Sequence, residues 1–218
     1  LTSCAIFSYG FTQKGTLIIP DDQNIINQCY FYKTAPILLL SSIDENGSFS
    51  SSRAKELFNN IYLQNQVLEN LTEIMLLKGY TGIDIDFEYI YPEDKQAFTD
   101  FIANTAEKMH RHGFSVNVDL APKTSSEQKG LLYEGHDYKA IGEIADTVLL
   151  MTYEWGSAYG PPMAVAPLPQ VEKVVSYAVS QITPEKIYMG IPNYGYDWHL
   201  PYVQGTRAYS LGNQEALQ

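Results

Sequence analysis

The sequence is poor in cysteine and in positive charge, and it has no long apolar segment. Cys4 and Cys29 are its only cysteines, which excludes a framework of several disulfides. The residue pattern leaves one disulfide or two buried thiols open, favours the thiols, and fixes no cellular compartment. With 14 Lys and Arg against 25 Asp and Glu, the net charge is -11 and no basic patch is present, so we expect no nucleic-acid partner. No apolar run reaches the roughly 20 residues of a membrane helix, so we expect no membrane span.

The chain start and the composition bound the domain organisation. The first residues, Leu1-Thr2-Ser3-Cys4, contain no Met and no charged segment leading into an apolar run. We therefore expect no signal peptide and a processed or excised domain. The 218 residues are 45% hydrophobic without a low-complexity tract, which predicts one globular domain with an ample core. The 17 tyrosines hint at sugar binding, although tyrosine also fills cores.

One stretch, residues 80–89, alternates acidic and bulky apolar residues. In a β-strand, side chains two positions apart share a face, so Asp84, Asp86 and Glu88 should line one side and apolar residues the other. Neighbouring carboxylates would then lie roughly 7 Å apart, since the rise is about 3.3 Å per residue. Three such acids on a strand whose other face is apolar resist full ionisation, so the pKa of at least one of these carboxyl groups should rise. A raised carboxyl pKa suits a general acid.

Two other interpretations of this stretch are weaker. A strand with one solvent-exposed face can carry three acids by chance. The apolar residues between these acids, however, indicate that the other face is well buried. A calcium loop needs glycine at its sixth position, which counted from Asp84 is Tyr89. We therefore expect no metal and no cofactor at this stretch.

The chain alternates strands and helices. Predicted strands, mostly buried apolar runs, cover residues 4–11, 35–41, 80–89, 114–120, 146–153 and 186–192. Residues 53–78 read as two helices or one broken helix ended by Gly79, a long helix follows Pro92, and a helix begins at Asn213. The alternation predicts parallel β/α units, as a barrel or a doubly wound sheet. No glycine-rich phosphate loop follows the first strand, which disfavours nucleotide binding.

Candidate functional residues lie at the carboxyl ends of these predicted strands. In a barrel the active site lies at the carboxyl ends of the strands. Asp84 would then be deepest, Asp86 next and Glu88 at the mouth, within reach of a substrate. Lys123 follows another strand and reads as a structural ion-pair partner. None of the four histidines has triad or metal spacing, and we interpret them as surface or packing residues.

The motifs resemble one known family. Residues 82–88, Gly-Ile-Asp-Ile-Asp-Phe-Glu, resemble the D-G-x-D-x-D-x-E signature of glycoside hydrolase family 18, the chitinase-like (β/α)8 barrels. Residues 151–153 resemble its M-x-Y motif on the sixth strand, and residues 190–195 resemble its G-x-P-x-Y-G on the seventh. Residues 7–11, 121–123, 151–156 and 160–165 are similar to bacterial members associated with spore cortex lysis.

The sequence departs from the family pattern in three places. Thr81 stands at the first Asp of the acidic signature, and residues 41–44 replace the S-x-G-G found in many chitinases. The six predicted strands correspond to barrel strands two to seven. The resemblance therefore implies a TIM (β/α)8 barrel truncated to about those strands, with residues 1–218 a partial catalytic domain, less stable than the full barrel, that lacks its first and last strands.

The resemblance also implies roles for individual residues. Glu88 would be the general acid, Asp86 would hold the substrate acetamido N–H, and Asp84 would share a proton or hydrogen bond with Asp86. The Tyr153 hydroxyl would bind the acetamido oxygen, and no metal or cofactor would be needed. The candidate substrate-binding residues are Tyr9, Met151, Glu154, Trp155, Asn193 and Tyr194.

The function implied is hydrolysis of a glycan that contains N-acetylglucosamine. Peptidoglycan of the spore cortex type, cleaved at β-1,4 linkages after N-acetylglucosamine with retention, is the expected substrate, and chitin is the rival. A carbohydrate-binding barrel without turnover is the alternative, which the intact acids disfavour. By resemblance the protein would act at the bacterial spore or cell wall, with wall-binding modules outside this chain.

Overall fold

Six parallel strands form the centre of the fold, and they are the six that the sequence predicts. The computed structural model describes residues 1–217. The strands are β1 (Ser3–Phe11), β2 (Leu17–Ile18), β3 (Ala35–Ser41), β4 (Gly82–Asp86), β5 (Ser115–Leu120), β6 (Thr147–Leu150), β7 (Ile187–Met189), β8 (Tyr194–Asp197) and β9 (Tyr209–Gly212). The main sheet has the order β2-β1-β3-β4-β5-β6-β7, and only the short β2 is antiparallel to its neighbour. Within residues 1–217, β1 and β7 do not pair with each other, so the parallel strands form an open arc.

The helices connect successive parallel strands. They are α1 (Gln23–Phe31), α2 (Ser51–Asn59), α3 (Ile61–Lys78), α4 (Lys95–Arg111), α5 (Tyr138–Ile144) and α6 (Leu168–Gln181). The predicted break within residues 53–78 falls at Asn60, whose side chain accepts hydrogen bonds from the first backbone amides of α3. Gly79 ends α3 with φ 80°, a conformation that glycine adopts without a steric penalty.

The two faces of the sheet differ in chemistry because side chains alternate along each strand. Ile83 and Ile85 of β4 and Val116 and Val118 of β5 are fully buried in the apolar core. The opposite face, lined by Asp84 on β4 and by polar residues of β5, is the concave inner face of the arc. The fold thus places the polar side of the alternating stretch inside the arc.

Two segments differ from the sequence prediction. Residues 193–198 read as a loop, whereas Tyr194–Asp197 form β8 and pair with β9 in an antiparallel hairpin. The helix predicted from Asn213 is a 3₁₀ turn over Glu215–Leu217, and residue 218 lies outside the described residues. Strands β8 and β9 are short and partly exposed, so their sequences show little of the apolar pattern that identifies a strand.

The cysteines match the expectation of two buried thiols in part, because only one of the two is buried. Both Cys4 and Cys29 are free thiols; Cys29 is buried and Cys4 half-buried. Burial raises the pKa of the Cys29 thiol, with a further contribution from the neighbouring Cys4. No helix among residues 1–217 combines the length and apolar character needed to cross a membrane.

Tyr9, a predicted substrate-binding residue, lies in a buried polar cluster. Its side chain is 0% exposed, and its hydroxyl donates to Asp22 Oδ2 at 2.5 Å. The Tyr80 hydroxyl donates to the same oxygen at 2.5 Å, and the Lys78 ammonium pairs with the other carboxylate oxygen. Asp22 therefore joins β1, the end of α3 and the start of β4.

Replacing Asp22 with Asn should destabilise the fold by about 3 kcal/mol at neutral pH, because it leaves a half-buried ammonium without its partner. Burial alone would raise the pKa of Asp22, but hydrogen bonds from Lys78, Tyr80 and Tyr9 lower it below the usual value. A lowered folded-state pKa gives stability that is present above the unfolded pKa of about 3.9 and lost as pH falls below it. Urea unfolding between pH 7 and 3 should show that the difference in free energy of unfolding between wild type and Asp22→Asn becomes smaller in acid.

The neighbouring Asp21 provides the matched control, since its side chain is exposed. Asp21→Asn should change the free energy of unfolding by less than about 0.5 kcal/mol. Equal losses in both variants, or a gap that does not narrow in acid, would contradict the proposed importance of the Asp22 ion pair.

Candidate active site

The acids of the alternating stretch differ in exposure, and Glu88 is the most open of the three. Asp84 and Asp86 are 5% and 6% exposed, and Glu88 lies just beyond the end of the strand, partly open to solvent. The fully buried Phe87 between Asp86 and Glu88 packs on the opposite face. The strand therefore anchors the two Asp residues inside the arc and leaves Glu88 at its carboxyl edge.

Burial dominates the titration of these acids. It raises the pKa of Asp84 to about 6, although a hydrogen bond from the Asn117 amide favours the anion. The pKa of Asp86 rises to about 7, first through burial and then through the charges of Glu88 and Asp84. Burial, followed by the charge of Glu154, also raises the pKa of Glu88. These shifts confirm the expectation of a raised carboxyl pKa and leave protonated acid available near neutral pH.

A fourth carboxyl group, Asp119 on β5, joins this cluster and was missed from the sequence. It is 6% exposed, and burial together with the charges of Asp84 and Asp86 raises its pKa well above the usual value. Asp119 and Asp84 are within hydrogen-bonding reach of each other. The signal was available, because residues 115–120 alternate polar and apolar side chains with the same period as the acidic strand beside them.

The hydrogen bond found for Asp84 among residues 1–217 goes to the neighbouring strand, so a shared proton or hydrogen bond with Asp86 stays a prediction. Asp84 Oδ1 accepts a hydrogen bond from Asn117 Nδ2, and Asp86 Oδ1 is buried without a hydrogen-bond partner in the described part of the chain. The neighbouring strand β5 supplies the partners of Asp84 because Asp84 and Asn117 lie side by side in the parallel register. Residues one step apart on the same face of β4 are farther from each other than from this neighbour.

Glu88 opens onto a cleft of about 310 Å³ at the carboxyl ends of β4, β5 and β6. Of the predicted site residues, Glu88, Met151, Tyr153, Glu154 and Trp155 line it. The sequence prediction missed four further lining residues: Tyr89, Pro122, Leu132 and Tyr133. A larger cavity of about 660 Å³ occupies the opposite end of the inner face, where Asp84 reaches it but Glu88 and Tyr153 do not.

Tyr153 follows β6 and faces the acids. Burial, followed by the charges of Asp119, Asp86, Glu88 and Asp84, raises its pKa, so the hydroxyl stays protonated and can donate a hydrogen bond. Gly190 lies against this ring: a Cβ there would fall 2.6 Å from Tyr153 Cε1 and 2.7 Å from the Leu150 carbonyl oxygen. The absence of a side chain at Gly190 thus sets the position of Tyr153.

Glu154 is held by tyrosines of the β8–β9 hairpin. Its φ of 68° is unusual for a non-glycine residue. The Tyr194 hydroxyl donates to Glu154 Oε1, and the Tyr196 hydroxyl donates to the same oxygen at 2.8 Å. Tyr194 therefore joins the site through Glu154, whereas Asn193 is exposed and does not line the cleft.

A buried imidazole connects the loops that follow β4 and β5. His136 is 0% exposed; its Nδ1 accepts from the Ala121 amide and its Nε2 donates to the Phe87 carbonyl, each at 3.1 Å. Burial lowers the pKa of His136 to about 4, so it is neutral at physiological pH. Lys123, expected to form an ion pair, instead donates to the His136 carbonyl oxygen at 3.0 Å while 2% exposed. This network fixes the backbone immediately before Glu88.

An arc of parallel strands with stacked acids at its carboxyl edge defines the class of (β/α)-barrel glycoside hydrolases. The family model of glycosyl hydrolases family 18 matches residues 3–214, and the chain belongs to this family. The truncated-barrel interpretation of the sequence is confirmed, because the arc superimposes on part of larger family structures.

Named relatives place the chain more closely. It is 38% identical to the cortical fragment-lytic enzyme of Bacillus subtilis (strain 168) over 218 residues, 100% of this chain and 50% of the relative. The crystal structure of the Bacillus cereus spore cortex-lytic enzyme SleL matches with a TM-score of 0.93 at 39% identity, over 100% of this chain and 50% of that one. A chitinase from Chromobacterium violaceum ATCC 12472 matches with a TM-score of 0.90 at 26% identity, over 99% and 67% respectively. The chain thus spans about half the length of the curated relatives it matches.

Proposed function

We propose that residues 1–218 are part of the catalytic domain of a retaining glycoside hydrolase that cleaves peptidoglycan of the spore cortex type. The bond cleaved is the β-1,4 linkage after N-acetylglucosamine. The observation that carries the proposal is Glu88 at the mouth of a cleft, with a raised pKa and with Asp86 and Asp84 buried behind it. The cortex-lytic relatives favour this substrate over others.

The proposed reaction uses the acetamido group of the substrate as nucleophile. Glu88 protonates the leaving glycosidic oxygen, and the acetamido oxygen attacks the anomeric carbon to form an oxazolinium ion. Asp86, whose buried Oδ1 has no hydrogen-bond partner within residues 1–217, accepts the acetamido N–H and offsets the positive charge. Asp84 tunes Asp86, and the Tyr153 hydroxyl binds the acetamido oxygen. Water activated by Glu88 then opens the ion with net retention, and no metal or cofactor takes part.

Aromatic and acidic residues around the cleft provide the proposed contacts to the sugar rings. Met151, Glu154 and Trp155 line it together with the unpredicted Tyr89 and Tyr133. Tyr194 acts through the orientation of Glu154. Tyr9 is left out of this proposal because its side chain is fully buried. Wall-binding modules outside this chain would add affinity for the polymer.

Gly190→Ala should lower kcat by about 10–100-fold, because displacement of Tyr153 by the new methyl group misplaces the hydroxyl that orients the acetamido oxygen. Turnover of cortex peptidoglycan measures the effect. Gly195→Ala is the matched control, since a Cβ there meets nothing within 4 Å. Unchanged turnover in Gly190→Ala would contradict the role of Tyr153.

Chitin is the second candidate substrate, favoured by the structural similarity to the Chromobacterium violaceum chitinase. Release of reducing ends from purified cortex peptidoglycan and from chitooligosaccharides would rank the two. Faster turnover of cortex is expected. Turnover of chitooligosaccharides alone would favour the chitinase, and binding of either glycan without turnover would favour a non-catalytic binding protein.

A further inference from the structure

Asp119 is as deeply buried as Asp84 and Asp86, and the proposed mechanism assigns it no role. In the register of β4 and β5, Asp84 lies beside Asn117 and Ile85 beside Val118. The next pair along these parallel strands is Asp86 and Asp119, which share the inner face. Both have a buried Oδ1 without a hydrogen-bond partner among residues 1–217.

The charges around Asp119 are all of one sign. Asp84 and Asp86 face it from β4, Glu88 from the loop after β4 and the Tyr153 hydroxyl from the loop after β6. In the described chain, the salt bridges formed by Lys, Arg or His do not include these acids. Protonation of some of these acids must therefore reduce the repulsion, because buried carboxyl groups without a neighbouring cation cannot all ionise.

The hydrogen bonds decide which acid keeps a proton. Thr147 Oγ1 donates to Asn117 Oδ1 at 2.8 Å, which turns the Asn117 amide N–H towards Asp84. The Asp84 anion is therefore stabilised by a fixed donor, the Asn117 amide. Asp119 has no comparable donor among the described residues 1–217, and it lies within hydrogen-bonding reach of Asp84.

We propose that Asp119 is a further positioning residue: it retains a proton, donates it in a hydrogen bond to Asp84, and so keeps Asp84 ionised behind Asp86. This inference rests on the proposed function for its kinetic consequence. The proton stays on β5 throughout, and Asp119 does not contact the substrate. A neutral hydrogen-bond donor of the same shape should therefore replace it.

Asp119→Asn supplies such a donor, and Asp119→Ala removes it. We expect Asp119→Asn to retain kcat/KM for cortex peptidoglycan within about threefold, and Asp119→Ala to lose at least about tenfold, mainly in kcat. Asn as damaging as Ala would overturn the proposal, because an anion would then be required. Full activity in both variants would overturn the positioning role.

The retained proton has a test that needs no turnover. A folded-state pKa raised above the unfolded value of about 3.9 gives stability that is lost as pH rises towards the folded-state value. The thermal midpoint of Asp119→Asn should therefore fall less than that of wild type between pH 4.5 and 8. Infrared spectra should show a protonated carboxylic acid at pH 8 in wild type and not in Asp119→Asn.

The two tests fail independently. Wild-type protein that hydrolyses no glycan would refute the proposed function. The pH dependence of stability and the infrared band would still show whether Asp119 is protonated. Parallel stability curves for wild type and Asp119→Asn, with no difference in the infrared band, would refute the protonated Asp119 even in an active enzyme. Should Asp119→Ala fail to fold, the Asn variant and the spectra still decide the proposal.

Discussion

Replacing Glu88 with Gln is expected to lower the rate of glycan hydrolysis by about 10²–10⁴-fold, the usual contribution of a general acid. The amide keeps the size of the side chain but cannot give a proton to the leaving oxygen. Because Glu88 lies just beyond the end of β4, partly open to solvent, the change should leave the strand undisturbed. The loss should therefore appear in kcat, with the affinity for the glycan retained.

Release of reducing ends and co-sedimentation with insoluble cortex peptidoglycan separate catalysis from binding in this variant. Glu172→Gln is the control, because Glu172 is an exposed glutamate on α6 outside the cleft. It should match wild type in both measurements. Equal hydrolysis by wild type and Glu88→Gln would end the assignment of Glu88 as the acid. Loss of binding in parallel with loss of turnover would mean that Glu88 holds the substrate and does not donate the proton.

The predicted residues that line the cleft or lie behind it belong to two short stretches, residues 84–88 and 151–155. The order of Asp84, Asp86 and Glu88 along the stretch follows from the strand period together with the expected barrel, and Glu88 is the most exposed of the three in the structure. The same period runs through residues 115–120, so Asp119 could have been found by reading the two strands as neighbours. A single acid on a strand carries no motif of its own, which is why the prediction passed over it.

The surroundings of Tyr9 could not be predicted because its partners are distant in the chain. Its position at a strand end favoured a binding role. The Tyr9 hydroxyl donates a hydrogen bond to Asp22, 13 residues away in the chain. The Tyr80 hydroxyl, 58 residues from Asp22, donates to the same carboxylate. These groups come together where the start of α1 and the end of α3 meet beside β1, and no local sequence pattern predicts that contact.

The folded architecture was predictable where burial is continuous. Apolar runs such as residues 35–41 and 146–150 identify strands because both faces of a parallel sheet are covered. The β8–β9 hairpin has no such burial, and hydrogen bonds from its tyrosines to Glu154 attach it to the site. Tertiary hydrogen bonds of this kind leave no periodic signal in the sequence.

Phe87→Ala is expected to cost about 3–5 kcal/mol of folding free energy, the largest stability effect of the variants considered. The ring of Phe87 is 0% exposed and lies 5.3 Å from the Phe58 ring of α2 and 5.7 Å from the Phe101 ring of α4. Its removal leaves a cavity where both helices pack against the end of β4. The cost is a large fraction of the about 5–15 kcal/mol that stabilises a typical domain.

Urea unfolding measures this loss, and Phe31→Ala is the control because Phe31 is 77% exposed and should cost less than about 0.5 kcal/mol. Phe87→Leu keeps most of the apolar volume, so it should fold even if the Ala variant does not, with an intermediate loss. The ring also lies between Asp86 and Glu88 in the chain, so the cavity should disorder both and lower turnover before global unfolding. A Phe87→Ala protein with wild-type stability would mean that the packing of α2 and α4 does not hold the acids in place.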